Sequence, residues 1–303
     1  MPNENLTGRT IAGYHLVERV GEGGTAEVYR AEHAERGVCA FKVLRPRLKG
    51  DPNAVTRFLR EAGYGARVEH RNVVRTYDYG EAGGQQYLAL EWAAGTSLAE
   101  LVPRAGRLAP PLVGSLVRQL GDALGAAHRV GIIHRDLKPE NIMYDEGTGT
   151  VKLLDFGIAR DADLPTEARL TRTGFFVGTL QYVAPEALSG ELVDGRADIY
   201  SLATITFYML TGRHPFTALR PRDLFHQLLT GSPEPLGRAA PDLTFPPALE
   251  AAVMRGLARN PADRHPTVTA FADEFVASID TRPPAEPGFL DRLKQIGRRR
   301  GTA

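Results

Sequence analysis

The sequence predicts an α+β protein of two lobes, a small antiparallel sheet with one helix followed by a larger, mainly helical part. Residues 11–34 and 36–44 alternate β-branched and polar residues around turns, a pattern typical of three antiparallel strands. From residue 112 onward, apolar residues recur instead at the spacing of helices. The character of the chain changes at residues 92–95, which are therefore predicted to connect the two lobes.

The helix of the first lobe is predicted to begin at Asp51, because aspartate caps helices and Pro52 suits the first helical position. Apolar residues then recur at helical spacing as far as Ala66. Two further strands are predicted over 73–79 and 86–91. In the second lobe the apolar spacing predicts helices over 112–128, 198–210, 222–229, 248–258 and 268–279.

The composition is that of a soluble globular protein. Hydrophobic residues make up 43% of the 303 residues and charged residues 24%, which excludes a disordered or membrane-embedded chain. The net charge of +1 gives no reason to expect a nucleic-acid partner. The single cysteine, Cys39, excludes an internal disulfide framework and fits a reducing compartment. The first twenty residues lack the pattern of a secretory signal, so we expect a cytoplasmic protein.

A glycine-rich turn between two predicted strands is the first candidate for a binding site. In GEGGTAEVY, residues 21–29, Gly21 and Gly23 lack side chains, as a backbone lying close over phosphates requires. Ordinary hairpin turns use the same residues, so this pattern alone is weak evidence. Lys42 follows inside an apolar strand, with Glu61 on the predicted helix as its natural counter-ion. A surface lysine and a solvated glutamate are the alternative interpretation.

The most informative stretches are IIHRDLKPENIM at 132–143 and LLDFGIAR at 153–160. They place a base, a cation and two oxygen ligands for a hard metal within a short loop and hairpin, namely Asp136, Lys138, Asn141 and Asp155. Phosphoryl transfer needs this set, because the protein must orient a hydroxyl group and neutralise charge on the transferring phosphate.

These motifs resemble those of the eukaryotic-type protein kinase catalytic domain, in particular the bacterial Ser/Thr kinases of this Hanks type. The resemblance covers about residues 11–279 and implies a bilobal protein kinase fold, with an N-lobe over 11–91, a hinge over 92–95 and a C-lobe over 96–279. Residues 280–303 are then a Pro-rich linker and a short basic amphipathic tail. Ala26, where a third glycine is often found, and Phe41 depart from the family pattern without removing a chemical group.

The resemblance implies a role for each motif residue. Asp136 would be the catalytic base, with Lys138 beside the γ-phosphate, and Lys42 would hold the α- and β-phosphates of ATP while paired with Glu61. Asn141 and Asp155 would hold Mg²⁺, with Mn²⁺ as an alternative ion. The implied ATP pocket consists of Val20, Gly21, Gly23, Val28, Ala40, Lys42, Leu90, Glu91, Ala93 and Met143.

The resemblance also implies the substrate class, and the residues between Asp155 and Glu186 predict a switch. Lys138 two residues after the base, with Gly178 and Thr179 ahead of VAPE at 183–186, resembles the Ser/Thr-specific pattern. Thr171 and Thr173 are predicted to be autophosphorylated, since a phosphate there could bridge two arginines, Arg135 and Arg160. Glu186 paired with Arg264, and Asp198, which ties down the catalytic loop, are expected to be structural.

Two other function classes remain open at this point. One is a pseudokinase that binds partners without catalysis, and the other is a small-molecule kinase. The expected partners are protein substrates, and the sequence leaves a homodimer open. The basic tail could contact an anionic membrane surface, although a solvated helix or frayed end is the favoured interpretation.

Overall fold

The computed structural model describes residues 5–156 and 180–279, and these residues form two lobes. The N-terminal lobe contains a six-stranded antiparallel sheet with the strand order β1-β2-β3-β4-β6-β5. Its strands are β1 (Thr10–Ile11), β2 (Tyr14–Glu22), β3 (Ala26–His33), β4 (Gly37–Leu44), β5 (Thr76–Ala82) and β6 (Gln85–Glu91). The predicted fold class is therefore confirmed for this lobe.

One helix, α1 (Pro52–Gly65), lies against the sheet, and it begins where the sequence predicts. The Asp51 side chain accepts a hydrogen bond of 2.9 Å from the backbone N–H of Asn53, which satisfies one of the free donors at the helix start. Ala54, Phe58 and Ala62 are buried. Phe58 and Ala62 share an apolar cluster with residues of β3, β4 and β6. This packing holds α1, and with it Glu61, on the inner face of the sheet.

The predicted strand over 73–79 is wrong at its beginning, because β5 starts at Thr76. Val73 forms a parallel bridge with Leu153, and the backbone N–H of Val74 donates to the Leu153 carbonyl at 3.0 Å. Asn72 extends this contact, since its side-chain amide donates to the Val151 carbonyl at 2.8 Å. The segment before β5 thus joins the N-terminal lobe to the C-terminal lobe.

The C-terminal lobe is mainly helical. Its helices are α2 (Leu98–Ala105), α3 (Pro110–Arg129), α4 (Pro185–Ser189), α5 (Arg196–Thr211), α6 (Pro221–Thr230), α7 (Leu236–Ala239), α8 (Pro247–Gly256) and α9 (Val268–Ile279). A three-stranded sheet of β7 (Thr96–Ser97), β8 (Ile142–Asp145) and β9 (Thr150–Leu153) completes it. In the described part of the chain, no helix has both the length and the apolar character needed to cross a membrane.

Helix α5 is the centre of this lobe and is buried along nearly its whole length. Its buried hydroxyl groups donate to carbonyls four residues back, for example Thr204 to Tyr200 at 2.9 Å and Thr206 to Leu202 at 2.7 Å. Such bonds allow polar side chains to lie in an apolar core without an unsatisfied donor. The first turn of α5 carries Asp198, which is directed to the functional site described next.

Helices α3 and α9 approach each other closely through glycines of α3. A Cβ atom on Gly121 would lie 2.6 Å from the Cβ of Ala272, and one on Gly125 would lie 2.9 Å from Thr269. The missing side chains therefore set the separation of the two helices. The end of α3 leads through residues 130–133 into the loop that carries Asp136.

Candidate active site

Asp198 of α5 organises the loop before β8. Its fully buried carboxylate accepts hydrogen bonds from the backbone N–H of His134 at 2.8 Å and from that of Arg135 at 3.0 Å. It also bonds to Nε2 of His128 at 2.7 Å. Burial raises the pKa of Asp198, but the hydrogen bond and charge of His128, with His134, outweigh burial and hold it below its usual range. The loop is thus fixed by an ionised aspartate, and Arg135 keeps a left-handed backbone with a φ of 60°.

The Asp136 carboxylate is held from two sides. The side-chain amide of Asn141 donates to the backbone carbonyl of Asp136 at 2.8 Å and to its Oδ2 at 3.3 Å. The Lys138 ammonium lies 2.9 Å from the same Oδ2. The side chains of Asp136 and Lys138 remain 19% and 22% exposed, so a substrate hydroxyl group can reach them. The structure therefore brings three of the predicted residues into direct contact.

Lys42 contacts Asp155 across the cleft between the lobes. The strand register places Lys42 of β4 between Val28 of β3 and Leu88 of β6, with its ammonium group paired with Asp155. Within the described residues Lys42 forms no ion pair with Glu61, which differs from the pairing that the resemblance implies. The physical reason is that the Asp155 carboxylate, on the segment after β9, contacts the Lys42 ammonium group instead.

The half-buried Glu61 lies near enough to Asp155 for the two carboxylates to repel each other. Burial and, next, the negative charge of Asp155 raise its pKa to about 7, although Lys42 acts in the opposite direction. Burial also raises the pKa of Asp155, but the charge and hydrogen bond of Lys42 outweigh it and lower the pKa overall. The surroundings of Asp155 therefore favour its ionised form, whereas those of Glu61 favour its protonated form.

Two oxygen donors for a divalent metal come from neighbouring segments. The backbone N–H of Leu154 donates to the Asn141 carbonyl at 2.8 Å, which places Asn141 beside the residue that precedes Asp155. Asn141 uses its amide nitrogen on Asp136, so within residues 5–156 and 180–279 its side-chain oxygen is left for a ligand. One carboxylate and one amide oxygen fit Mg²⁺, which usually keeps several waters and binds phosphate oxygens as well. The donor chemistry thus agrees with the metal that the sequence predicts.

The predicted ATP pocket lies on strands around Lys42. Gly21 pairs with Val28, and Ala40 pairs with Leu90, so these residues lie on adjacent strands of the sheet. The Glu91 carboxylate lies 2.5 Å from the ammonium group of Lys152, on β9. Four predicted residues remain. Val20 lies on β2 and Gly23 on the turn that follows it, whereas Ala93 follows β6 and Met143 lies on β8.

Several predicted residues lie outside the described part of the chain, and two residues with contacts at the site are not predicted from the sequence. The predicted phosphorylation sites Thr171 and Thr173 lie outside the described residues, as do Arg160 and Thr179. Sequence reasoning missed His128, because nothing in the sequence distinguishes it from the other residues in the last turn of α3. It also missed Lys152, the one lysine of β9.

The anticipated Glu186–Arg264 pair forms in the C-terminal lobe. The two guanidinium nitrogens of Arg264 lie 2.7 and 2.8 Å from the two carboxylate oxygens of Glu186. Both side chains are almost completely buried, and the guanidinium carbon lies 5.0 Å from the centre of the Tyr200 ring. This pair fixes the beginning of α4, which carries Glu186, to the segment between α8 and α9, which carries Arg264.

Two lobes with a lysine–aspartate pair between them and an Asp-Lys-Asn loop held by a buried aspartate define a protein kinase catalytic domain. The protein kinase domain family matches residues 14–271, and the chain belongs to this family. It is 39% identical over 281 residues to "Serine/threonine-protein kinase pkn3" of Myxococcus xanthus, which covers 90% of this chain and 51% of that protein. It is 38% identical over 283 residues to "Serine/threonine-protein kinase PknB" of Mycolicibacterium smegmatis, covering 91% and 44%.

The fold is similar to that of the Mycobacterium tuberculosis PknI kinase domain, with a TM-score of 0.68 and 30% sequence identity. That match covers 90% of this chain and 98% of the PknI chain. These relatives are bacterial Ser/Thr kinases, as the sequence motifs predict. The chain spans about half the length of the curated relatives it matches.

Proposed function

We propose that this chain transfers the γ-phosphate of ATP to serine and threonine hydroxyl groups of proteins. The observation that carries the proposal is the contact of Asp136, Asn141 and Lys138 in one loop, facing the Lys42–Asp155 pair. Each group needed for phosphoryl transfer is present, and each is held by hydrogen bonds or ion pairs. The names of the relatives support Ser/Thr protein substrates.

In the proposed reaction, Asp136 orients the substrate hydroxyl group and accepts its proton. The hydroxyl oxygen forms a bond to the γ-phosphorus while the bond from that phosphorus to the β,γ-bridging oxygen breaks, and ADP leaves. Lys138 neutralises charge that develops on the transferring group, and Lys42 binds the α- and β-phosphates. A Mg²⁺ ion held by Asn141 and Asp155, with Mn²⁺ as an alternative, supplies further charge neutralisation when bound.

Autophosphorylation of Thr171 and Thr173 is part of the proposal. Its support is Arg135, whose buried Nε has no hydrogen-bond partner among the described residues. A phosphate group is a suitable acceptor for such a donor. The homodimer, the membrane contact of the tail and the cytoplasmic location stay predictions from the sequence.

The experiment compares the wild-type chain with Asp136→Asn and Asp155→Asn, using Mg-ATP and a Ser/Thr-containing protein substrate. Asp136→Asn should lose about 10²- to 10⁴-fold in kcat while binding Mg-ATP with similar affinity, because the base acts mainly in the transition state. Asp155→Asn should instead weaken binding of ATP in the presence of Mg²⁺. Mass spectrometry then identifies which residues of the substrate are phosphorylated. It also shows whether Thr171 and Thr173 of the kinase chain are phosphorylated.

Three outcomes would overturn the proposal. Near-wild-type turnover by Asp136→Asn would contradict the role of this residue. A wild-type chain that binds Mg-ATP without turnover would indicate a pseudokinase. Phosphate transfer to sugars or aminoglycosides, but not to protein, would indicate a small-molecule kinase.

A further inference from the structure

The segment that follows β4 is bonded to the glycine-rich turn between β2 and β3. The Arg45 guanidinium group contacts the carboxylate of Glu22, at the end of β2. The backbone N–H of Arg45 donates to the carbonyl of Thr25 at 3.0 Å, and the Arg47 side chain donates to the carbonyl of Gly24 at 3.0 Å. The turn is therefore held at three places by residues 45–47.

Further charged groups surround the Arg45–Glu22 contact, and burial and, next, the positive charges of Arg47 and Arg19 lower the pKa of Arg45. The Arg19 guanidinium lies 3.4 Å from Glu22 and 3.6 Å from Glu27. Glu27 is buried and accepts a hydrogen bond of 2.8 Å from the Tyr29 hydroxyl. The Arg45 side chain is only 13% exposed and that of Glu22 is 42% exposed, so water screens this ion pair only in part. The contact with Glu22 places the Arg45 guanidinium at the end of β2, next to the turn.

The same short segment is connected to the other phosphate-binding groups. Lys42 lies three residues before Arg45, and residues 46–51 lead directly into α1, which carries Glu61. The glycines of the turn leave its backbone with many accessible conformations, so contacts from outside must restrict it. Residues 45–47 are the part of the described chain that makes these contacts.

We propose that Arg45 and Arg47 are positioning residues that hold the glycine-rich turn at a fixed height over the ATP phosphates. The inference rests on the proposed function, because it assumes that the phosphates lie under the turn. By restricting the turn before ATP arrives, the two arginines reduce the conformational entropy lost on binding. Their effect is specific for the phosphate end of the nucleotide, since they contact the turn and not the connection near Glu91.

Binding of ATP and of adenosine separates this role from a structural one. We would measure the affinity of the wild-type chain, Arg45→Met and Arg47→Met for Mg-ATP and for adenosine, by fluorescence competition against a labelled nucleotide. Methionine keeps the aliphatic part of each side chain and removes the charge and the donors. Each variant should bind Mg-ATP about three- to tenfold more weakly and adenosine with nearly wild-type affinity. Arg45→Lys, which keeps the charge, should restore part of the affinity of Arg45→Met for Mg-ATP.

Arg118→Met is the matched control, because it removes an exposed arginine of α3 whose ion pair with Asp273 of α9, at 3.5 Å, lies in the C-terminal lobe. Its affinities for both ligands should equal those of the wild type. Equal weakening of ATP and adenosine, or unchanged ATP affinity in both variants, would overturn the proposal. If Arg45→Met does not fold, the affinities of Arg47→Met alone test the proposal, because the Arg47 side chain is exposed. The titrations need no phosphate transfer, so they test this inference even if the kinase activity is absent.

Discussion

Removal of Arg264 is expected to cost a large part of the stability of the C-terminal lobe. Its guanidinium group forms two hydrogen bonds to the Glu186 carboxylate, at 2.7 and 2.8 Å, in a site with almost no solvent exposure. It also donates to three backbone carbonyls, those of Ala258, Arg259 and Arg196, at distances between 2.8 and 3.1 Å. Arg264→Met would leave an unpaired buried carboxylate and three carbonyls without this donor.

The loss of one partner of a buried ion pair typically costs about 3–5 kcal/mol, because the remaining charge has lost both water and its counter-ion. A domain of this size is stable by only about 5–15 kcal/mol, so Arg264→Met should lower the free energy of unfolding by a large fraction. The double variant Glu186→Leu/Arg264→Met should lose clearly less than the sum of the two single variants, since it leaves no unpaired charge.

Urea unfolding of the wild-type chain, the two single variants and the double variant measures these free energies. The control is Arg104→Met, which breaks the exposed Arg104–Glu146 pair, with side chains 60% and 59% exposed. It should change the free energy of unfolding by less than about 0.5 kcal/mol. A loss below about 1 kcal/mol in Arg264→Met, or strict additivity in the double variant, would refute the reasoning.

Three further changes have outcomes that the structure predicts. Burial lowers the pKa of His214 to about 4, so the unfolded state binds a proton as the pH falls from 6.5 and the folded state does not. The contribution of His214 to the free energy of unfolding should therefore fall by about 2–3 kcal/mol between pH 7 and pH 4.5, so the difference between the wild type and His214→Gln in urea unfolding should change by this amount over that pH range. Asp198→Asn should lower kcat and cost about 1–3 kcal/mol of stability, with little change in the affinity for Mg-ATP, because the amide cannot accept from both loop N–H groups and His128. Gly63→Ala should raise the free energy of unfolding by about 0.5–1 kcal/mol, since the new Cβ lies 3.5 Å from the Tyr79 hydroxyl, whereas Gly65→Ala would meet Thr76 at 3.1 Å and gain less.

Local signals in the sequence predict the elements whose causes are local. The start of α1 follows from Asp51 and Pro52 alone, and the helical spacing finds α9 at its observed bounds. The error at Val73 has a different origin, because that residue pairs with Leu153. A local pattern carries no information about a partner 80 residues away. The β-branched residues therefore predict a strand at a place where the chain instead joins the two lobes.

The candidate site shows the same difference between contacts within one loop and contacts between distant segments. The motif spacing brings Asp136, Lys138 and Asn141 together, because all three lie within one loop. The choice of partner for Lys42 depends on the relative positions of two carboxylates from distant segments, and the sequence does not contain that information. The bond between His128 and Asp198 likewise joins residues that only the packing of α3 on α5 brings together.

The ion pairs of the site have a consequence for nucleotide binding. Each of the two lysines in the cleft already has a carboxylate partner, Asp155 for Lys42 and Asp136 for Lys138. The phosphates of ATP must therefore replace a carboxylate at each lysine, so binding exchanges ion pairs and gains less than it would at bare cations.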